Sequence, residues 1–168
     1  MTQVFEIDEI DRSIIKLIQK EPNLTHTQIA KKVNRSQPTI GMRIRKLEKT
    51  GVLKYQAGIN IKTADLIMGI VEIDTLNPQL IENLIKNCPY LINGFRKSGN
   101  FNLSILIVGY SFQQIDRIVN NHFRNNPNVN NVTLNIITNI VNDFVLPFEF
   151  DFKQCEKTCM KICNNKFT

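Results

Sequence analysis

The chain has 168 residues, 42% of them hydrophobic and 21% charged, with a formal net charge of +6. That length fits one medium domain or two small ones. No apolar run approaches the roughly 18 residues that span a bilayer, and the acidic start "MTQVFEIDEIDRS" lacks a signal-peptide core, so a cytoplasmic protein without a membrane partner is expected.

The charge is unevenly placed. Residues 1–62 hold 12 Lys/Arg and 6 Asp/Glu, whereas residues 63–168 hold 9 of each. A basic module ahead of a neutral one points to nucleic acid as the polyanionic partner. In a reducing compartment the four cysteines are expected as thiols or metal ligands rather than structural disulfides.

"DEIDRSIIKLIQKEP" places Ile10, Ile14, Leu17 and Ile18 on one helical face, with Asp8 as cap and Pro22 as terminator. "LTHTQIAKKVN" predicts a second, shorter helix capped by Thr25 or Thr27 and ended by Asn34, with Ile29, Ala30 and Val33 inward. A third helix starts at Ser36, carries Pro38 in its first turn and stops at Gly51. Its inward face is Ile40, Ile44 and Leu47; Pro38, Thr39, Met42, Arg45, Lys46 and Lys49 lie opposite, with Arg43 on the flank. A turn of about three residues between the second and third helices makes a helix-turn-helix, whose later helix enters the major groove. That groove is about 12 Å wide and admits a helix. Gln37, Thr39, Met42 and Arg43 are placed to reach base edges, Lys31, Lys32, Arg35, Lys46, Lys49 and Lys54 lie nearer phosphates, and Ser36 and Arg45 complete the expected DNA-binding set. "VLKYQAGINI" alternates as a short hairpin or wing would, with Tyr55 and Ile59 covering the core.

These segments resemble the Lrp/AsnC, or feast/famine, transcription regulators. The opening D-x-x-D-x-x-I-I pattern is matched by Asp8, Asp11, Ile14 and Ile15. The longer run of the third helix is matched by Ser36, Ile40, Arg43, Ile44, Lys46, Leu47, Glu48, Gly51 and Val52. The resemblance continues to about residue 142 through a strand, "LIMGIVEID", and a helix, "NPQLIENLIKNC", with Leu80, Leu84 and Ile85 inward. A hairpin follows, "LINGFRKSG" and "FNLSILIVGY", turning around Gly99-Asn100. A second helix, "SFQQIDRIVNNHFRN", and a last strand, "NVTLNIITNIV", complete a β-α-β-β-α-β order, the ferredoxin-like unit. The expected fold is therefore α+β: a winged helix-turn-helix DNA-binding domain with linker over 1–62, a ferredoxin-like effector-binding and oligomerisation domain over 63–145, and a helical, Cys-containing extension over 146–168.

The resemblance implies a homodimer joined through its sheets, assembling further to an octamer or other higher oligomer, bound to double-stranded DNA and modulated by a small-molecule effector such as an amino acid. It places that effector near the hairpin, at Gly99, Asn100, Phe101 and Asn102. The family carries Asp where this chain has Asn102, which removes a negative charge from the site. The bland reading of "GN" is a tight hairpin turn.

In the tail, "FEFDF" alternates like an extra strand, and Cys155, Cys159 and Cys163 recur every four residues on one helical stripe. Such a stripe serves as small apolar packing, as a metal or thiol-redox site, or as an interchain disulfide. An intact helix separates its ends by about 12 Å, too far for one tetrahedral zinc to take all three. No cofactor is demanded. No P-loop or nucleophile–base pattern occurs, and His26 and His122 are isolated and expected at the surface, so an enzyme is not expected. The alternative is a sirohaem decarboxylase-like enzyme, which shares the architecture and an Asn at the hairpin. Against it, "LINGFRKSG" has no His, and Leu103-Ser104 follows Asn102.

Overall fold

The computed structural model describes residues 6–147. The strand expected at 148–152 and Cys155, Cys159 and Cys163 lie outside the described residues. The chain divides into two compact units, Met1–Gln56 and Ala57–Thr168.

The first unit holds three helices: α1 (Glu9–Lys20), α2 (His26–Lys32) and α3 (Gln37–Lys49). Each begins on a side-chain cap, where an oxygen accepts from an otherwise unpaired backbone N–H. Asp8 and Thr25 form full capping boxes with Asp11 and Gln28, and Ser36 accepts from the Thr39 N–H, with Pro38 in the first turn. The helix-turn-helix turn is fixed by Asn34, the one described non-glycine residue at positive φ (52°). Its left-handed conformation lets the Arg35 N–H return to the Ala30 carbonyl at 3.0 Å and the Asn34 N–H to Lys31 at 3.4 Å, a Schellman closure. Gly51, at φ 74°, ends α3 in the same conformation. Ile14, Ile18, Ile29, Ala30, Ile40, Ile44, Leu47 and Leu53 form the core.

The hairpin expected after Gly51 does not form. Leu53 is buried, but Tyr55 is exposed, and the partly buried Ile59 packs against the core of the second unit. The strand that follows, β1 (Ile59–Asn60), pairs instead with β6 (Val145–Leu146), at the far end of the described chain. Gly58 makes this possible: a Cβ there would stand 2.4 Å from the Leu146 carbonyl oxygen. Residues 57–62 therefore belong with the second unit.

That unit is built on β2 (Ile67–Thr75), β3 (Leu91–Arg96), β4 (Leu103–Gly109) and β5 (Val129–Ile136). All neighbours are antiparallel, in the order β3-β4-β2-β5. With α4 (Pro78–Asn87) and α5 (Phe112–Val119) in the connections, this is the ferredoxin-like arrangement. Val71, Ile73, Leu103, Ile105 and Ile107 point to the helices and are fully buried; the opposite face carries Ile70, Glu72, Ser104 and Leu106. The inward stripe of α4 is centred on Ile81, with Leu84 and Ile85 beside it; Leu80, in the first turn, is exposed. Helix α5 runs into a π-turn, Asn120–Arg124, in place of a continuous α-helix. The last strand starts at Val129, opposite Thr75, and ends at Ile136, opposite Gly69.

Candidate nucleic-acid interface

Helix α3 sorts its residues by face. Ile40, Gly41, Ile44 and Leu47 are buried, and each large apolar side chain so placed contributes about 1.5–3 kcal/mol. Gln37, Met42, Arg45, Lys46 and Lys49 are exposed, with Met42 64% accessible. An apolar side chain that open, one turn from the helix start, suits contact with a base methyl. The first turn of α3 has no acid, so the positive end of the helix dipole is unopposed toward an anion.

The cations expected to meet phosphates all face solvent. Lys31 and Lys32 lie in the last turn of α2, Arg35 in the turn, and Lys54 beyond Gly51. Several have local partners. Lys32 pairs with Glu21 at 3.6 Å, the Arg35 guanidinium donates to the Asn34 carbonyl at 2.9 Å, and Arg45 Nε donates to the Gly41 carbonyl at 3.3 Å. Surface contacts of this kind are worth well under about 1 kcal/mol and exchange readily for a phosphate. The Ser36 and Thr39 hydroxyls hydrogen-bond each other at 2.8 Å, so Ser36 serves the cap first.

Arg43 is placed differently. Its Nη1 donates to Asp8 Oδ2 at 2.7 Å and to Asp11 Oδ1 at 2.8 Å, bolting α3 to the start of α1. Asp11 is only 5% exposed. The Asp11 backbone N–H, and then the Arg43 guanidinium, hold the Asp8 carboxyl below its ordinary range. The group expected to read bases is thus engaged by two carboxylates inside the unit. The sequence carries a signal for this: Asp11 shares the inward stripe with Ile14 and Ile18, and a carboxylate there requires a cation. His26, expected at the surface, is half-buried against Gly41, where a Cβ would lie 3.4 Å from the imidazole Nδ1.

The hairpin between β3 and β4 is not a tight Gly-Asn turn. Six residues, 97–102, form the loop, closed by the Lys97 N–H on the Asn102 carbonyl at 3.0 Å. Arg96, Lys97, Ser98, Gly99, Asn100 and Phe101 line an open hollow at its tip. Gly99 has open space where a Cβ would stand, so sterics do not require it. Arg96 is paired with Glu82 and Lys97 with Glu72. Asn102 turns away from the hollow: its Oδ1 accepts from the Thr75 N–H at 3.1 Å and its Nδ2 donates to the Thr75 carbonyl at 2.7 Å. The structure thus gathers Gly99, Asn100 and Phe101 at the tip and commits Asn102 to the sheet. Among the described residues no cluster of three or more His, Cys, Asp or Glu is arranged to hold a metal ion, and no helix is long and apolar enough to cross a membrane.

Comparison with known proteins agrees with this architecture. Residues 7–54 match the winged helix-turn-helix DNA-binding family. An HTH-type transcriptional regulator of Pyrococcus furiosus is 31% identical over 119 residues, covering 67% of this chain and 75% of its own length. Another, from Pyrococcus abyssi, is 28% identical over 136 residues, covering 75% and 84%. Among solved structures, LrpC of B. subtilis superimposes with a TM-score of 0.70 at 22% identity, covering 82% of this chain and 99% of its own. AsnC of E. coli gives 0.72 at 16% identity, with coverage of 83% and 99%. A Neisseria meningitidis transcriptional regulator in complex with L-Met gives 0.70 at 15%, with coverage of 84% and 97%. The chain belongs to the HTH-type transcriptional regulators, DNA-binding proteins, and is built on the Lrp/AsnC fold.

Proposed function

We propose that the chain reads a specific duplex operator as a homodimer or higher oligomer, with Gln37, Thr39 and Met42 meeting base edges. The observation that carries this reading is the two-faced α3, apolar and buried on one side, basic and open on the other. A two-fold dimer presents two such helices to successive major grooves and matches a palindromic site. The outer sheet face around Ile70 and Leu106 is the surface assigned to dimerisation. Lys31, Lys32, Arg35, Arg45, Lys46, Lys49 and Lys54 supply sequence-independent affinity through phosphates.

The effector hollow is assigned to the hairpin tip, supported by the residues gathered there and by the L-Met bound in the structurally similar Neisseria regulator. An amino acid-like ligand at that tip shifts assembly and thereby operator affinity. Thiol or metal chemistry at Cys155, Cys159 and Cys163 is a second route of modulation, supported by their four-residue spacing. The protein works in the cytoplasm, as a regulator rather than an enzyme. The commitment of Asn102 to Thr75 speaks against a hairpin Asn serving decarboxylase chemistry.

Selection of bound fragments from genomic DNA, repeated across salt concentrations, tests this reading. With about six phosphate contacts per DNA-binding unit, log affinity falls with log salt at a slope of about −5. A protein that enriches no sequence and binds duplex without salt dependence refutes it, and a porphyrin absorption band in the purified protein would favour the decarboxylase instead.

A further inference from the structure

We propose that Asn93 is a site of spontaneous modification, converted with age to aspartate or isoaspartate by attack of the following backbone nitrogen. Asn93-Gly94 is the single Asn-Gly pair in the chain, although 21 residues are asparagine. Glycine at the second position leaves the attacking nitrogen unshielded by any side chain.

Three structural features bring the reacting atoms together. Within one chain Asn93 is exposed on β3, an edge strand of the four-stranded sheet and so at the margin of the face assigned to dimerisation. The β3–β4 register shifts between Leu91 and Asn93, so the ladder is already irregular there. The Asn93 side chain curls over the next peptide, and the Gly94 N–H donates to its Oδ1 at 2.8 Å. With a C=O bond of about 1.23 Å, the Asn93 side-chain carbonyl carbon lies within about 4 Å of that nitrogen. A Cβ at Gly94 would stand 2.5 Å from the Ile85 Cδ1 methyl, so a larger residue there has to displace that side chain.

The reaction balances with water as its only co-reactant. The Gly94 nitrogen gives its proton to solvent base and bonds to the side-chain carbonyl carbon; the side-chain nitrogen leaves as ammonia. Water then opens the cyclic imide at either carbonyl. One product is an ordinary aspartate in place of Asn93, with a new negative charge beside Leu106 on the sheet face away from the helices. The other, isoaspartate, lengthens the main chain by one carbon where the register is already shifted.

The test is to age the folded full-length protein at mildly alkaline pH and map its tryptic peptides by mass spectrometry. The expected result is a mass gain first in the 87–96 peptide, placed at Asn93 by fragmentation, with isoaspartate detected by enzymatic methyl labelling. The signal appears in the folded chain at a rate within a few-fold of the urea-unfolded chain and is lost in Asn93→Gln, whose longer side chain closes a less favourable ring. The proposal is overturned if the folded chain keeps Asn93 intact while the unfolded chain is converted, or if other asparagines of the folded chain convert first.

Discussion

Asn102 grips the main chain of Thr75 with both ends of its side-chain amide, accepting from the N–H at 3.1 Å and donating to the carbonyl at 2.7 Å. Thr75 is 2% exposed, and its hydroxyl donates to the Asn128 carbonyl at 2.7 Å. The end of β2 is therefore held to the start of β4 by a group that must both donate and accept. An ionised aspartate in its place would only accept.

Asn102→Asp is accordingly expected to destabilise the second unit by about 1–3 kcal/mol, because the Thr75 carbonyl loses its donor and faces a charge. Urea titration at neutral pH measures this. The loss should shrink on acidification, since a protonated carboxyl regains an O–H donor. An unchanged midpoint in Asn102→Asp would show that the clamp contributes nothing.

Arg43 divides the reading helix between recognition and scaffolding. Arg43→Ala strands the carboxylate of Asp11, 5% exposed, and should cost the first unit about 1–3 kcal/mol. Its effect on DNA should be a loss of affinity across all sequences, through a shifted α3, whereas Met42→Ala should change which sequences are enriched. The two variants differ in a selection experiment even if both bind weakly. If Arg43→Ala alters base preference at one operator position and leaves thermal stability intact, the guanidinium reads DNA directly.

Gly41 offers the opposite case, a glycine that the fold does not need. It lies mid-helix in α3, and a Cβ there would meet the His26 imidazole at 3.4 Å, an ordinary contact with a side chain that can turn. Gly41→Ala should then stabilise the first unit by about 0.5–1 kcal/mol through helix propensity, read as a higher melting temperature. A lower melting temperature would mean that His26 is held too rigidly to move.

The features legible in the sequence are those set within about one helical turn. Asp8, Thr25 and Ser36 cap the helices, Asn34 and Gly51 end them, and the stripe from Ile14 to Ile18 faces inward. Spacing alone does not distinguish Ile81 from Leu80, because the neighbouring positions make equally good apolar stripes until β3 packs against one of them. The bond from Arg43 to Asp11 spans 32 residues, and the pairing of β1 with β6 joins opposite ends of the described part of the second unit. Such partners are chosen by chain closure, which periodicity does not encode. Asn102 stands out in the sequence as part of the expected effector site, but its amide is spent on Thr75 rather than offered to the hollow.

His122 gives the second unit a pH dependence of definite sign. It sits in the π-turn beside Phe123, whose side chain is fully buried, and the Asn126 amide holds its carbonyl at 3.3 Å. Burial pushes the imidazole below its ordinary value of 6.5. The unfolded chain therefore binds this proton more readily than the folded one. Stability is at its full value above about pH 6.5 and is lost as pH falls below it toward the depressed folded value. Replacing the imidazole with the non-titrating amide in His122→Gln should flatten this part of the stability–pH curve, measured by urea titration between neutral and mildly acidic pH. If wild type and His122→Gln lose stability in parallel over that range, the dependence belongs to the carboxylates and His122 has no part in it.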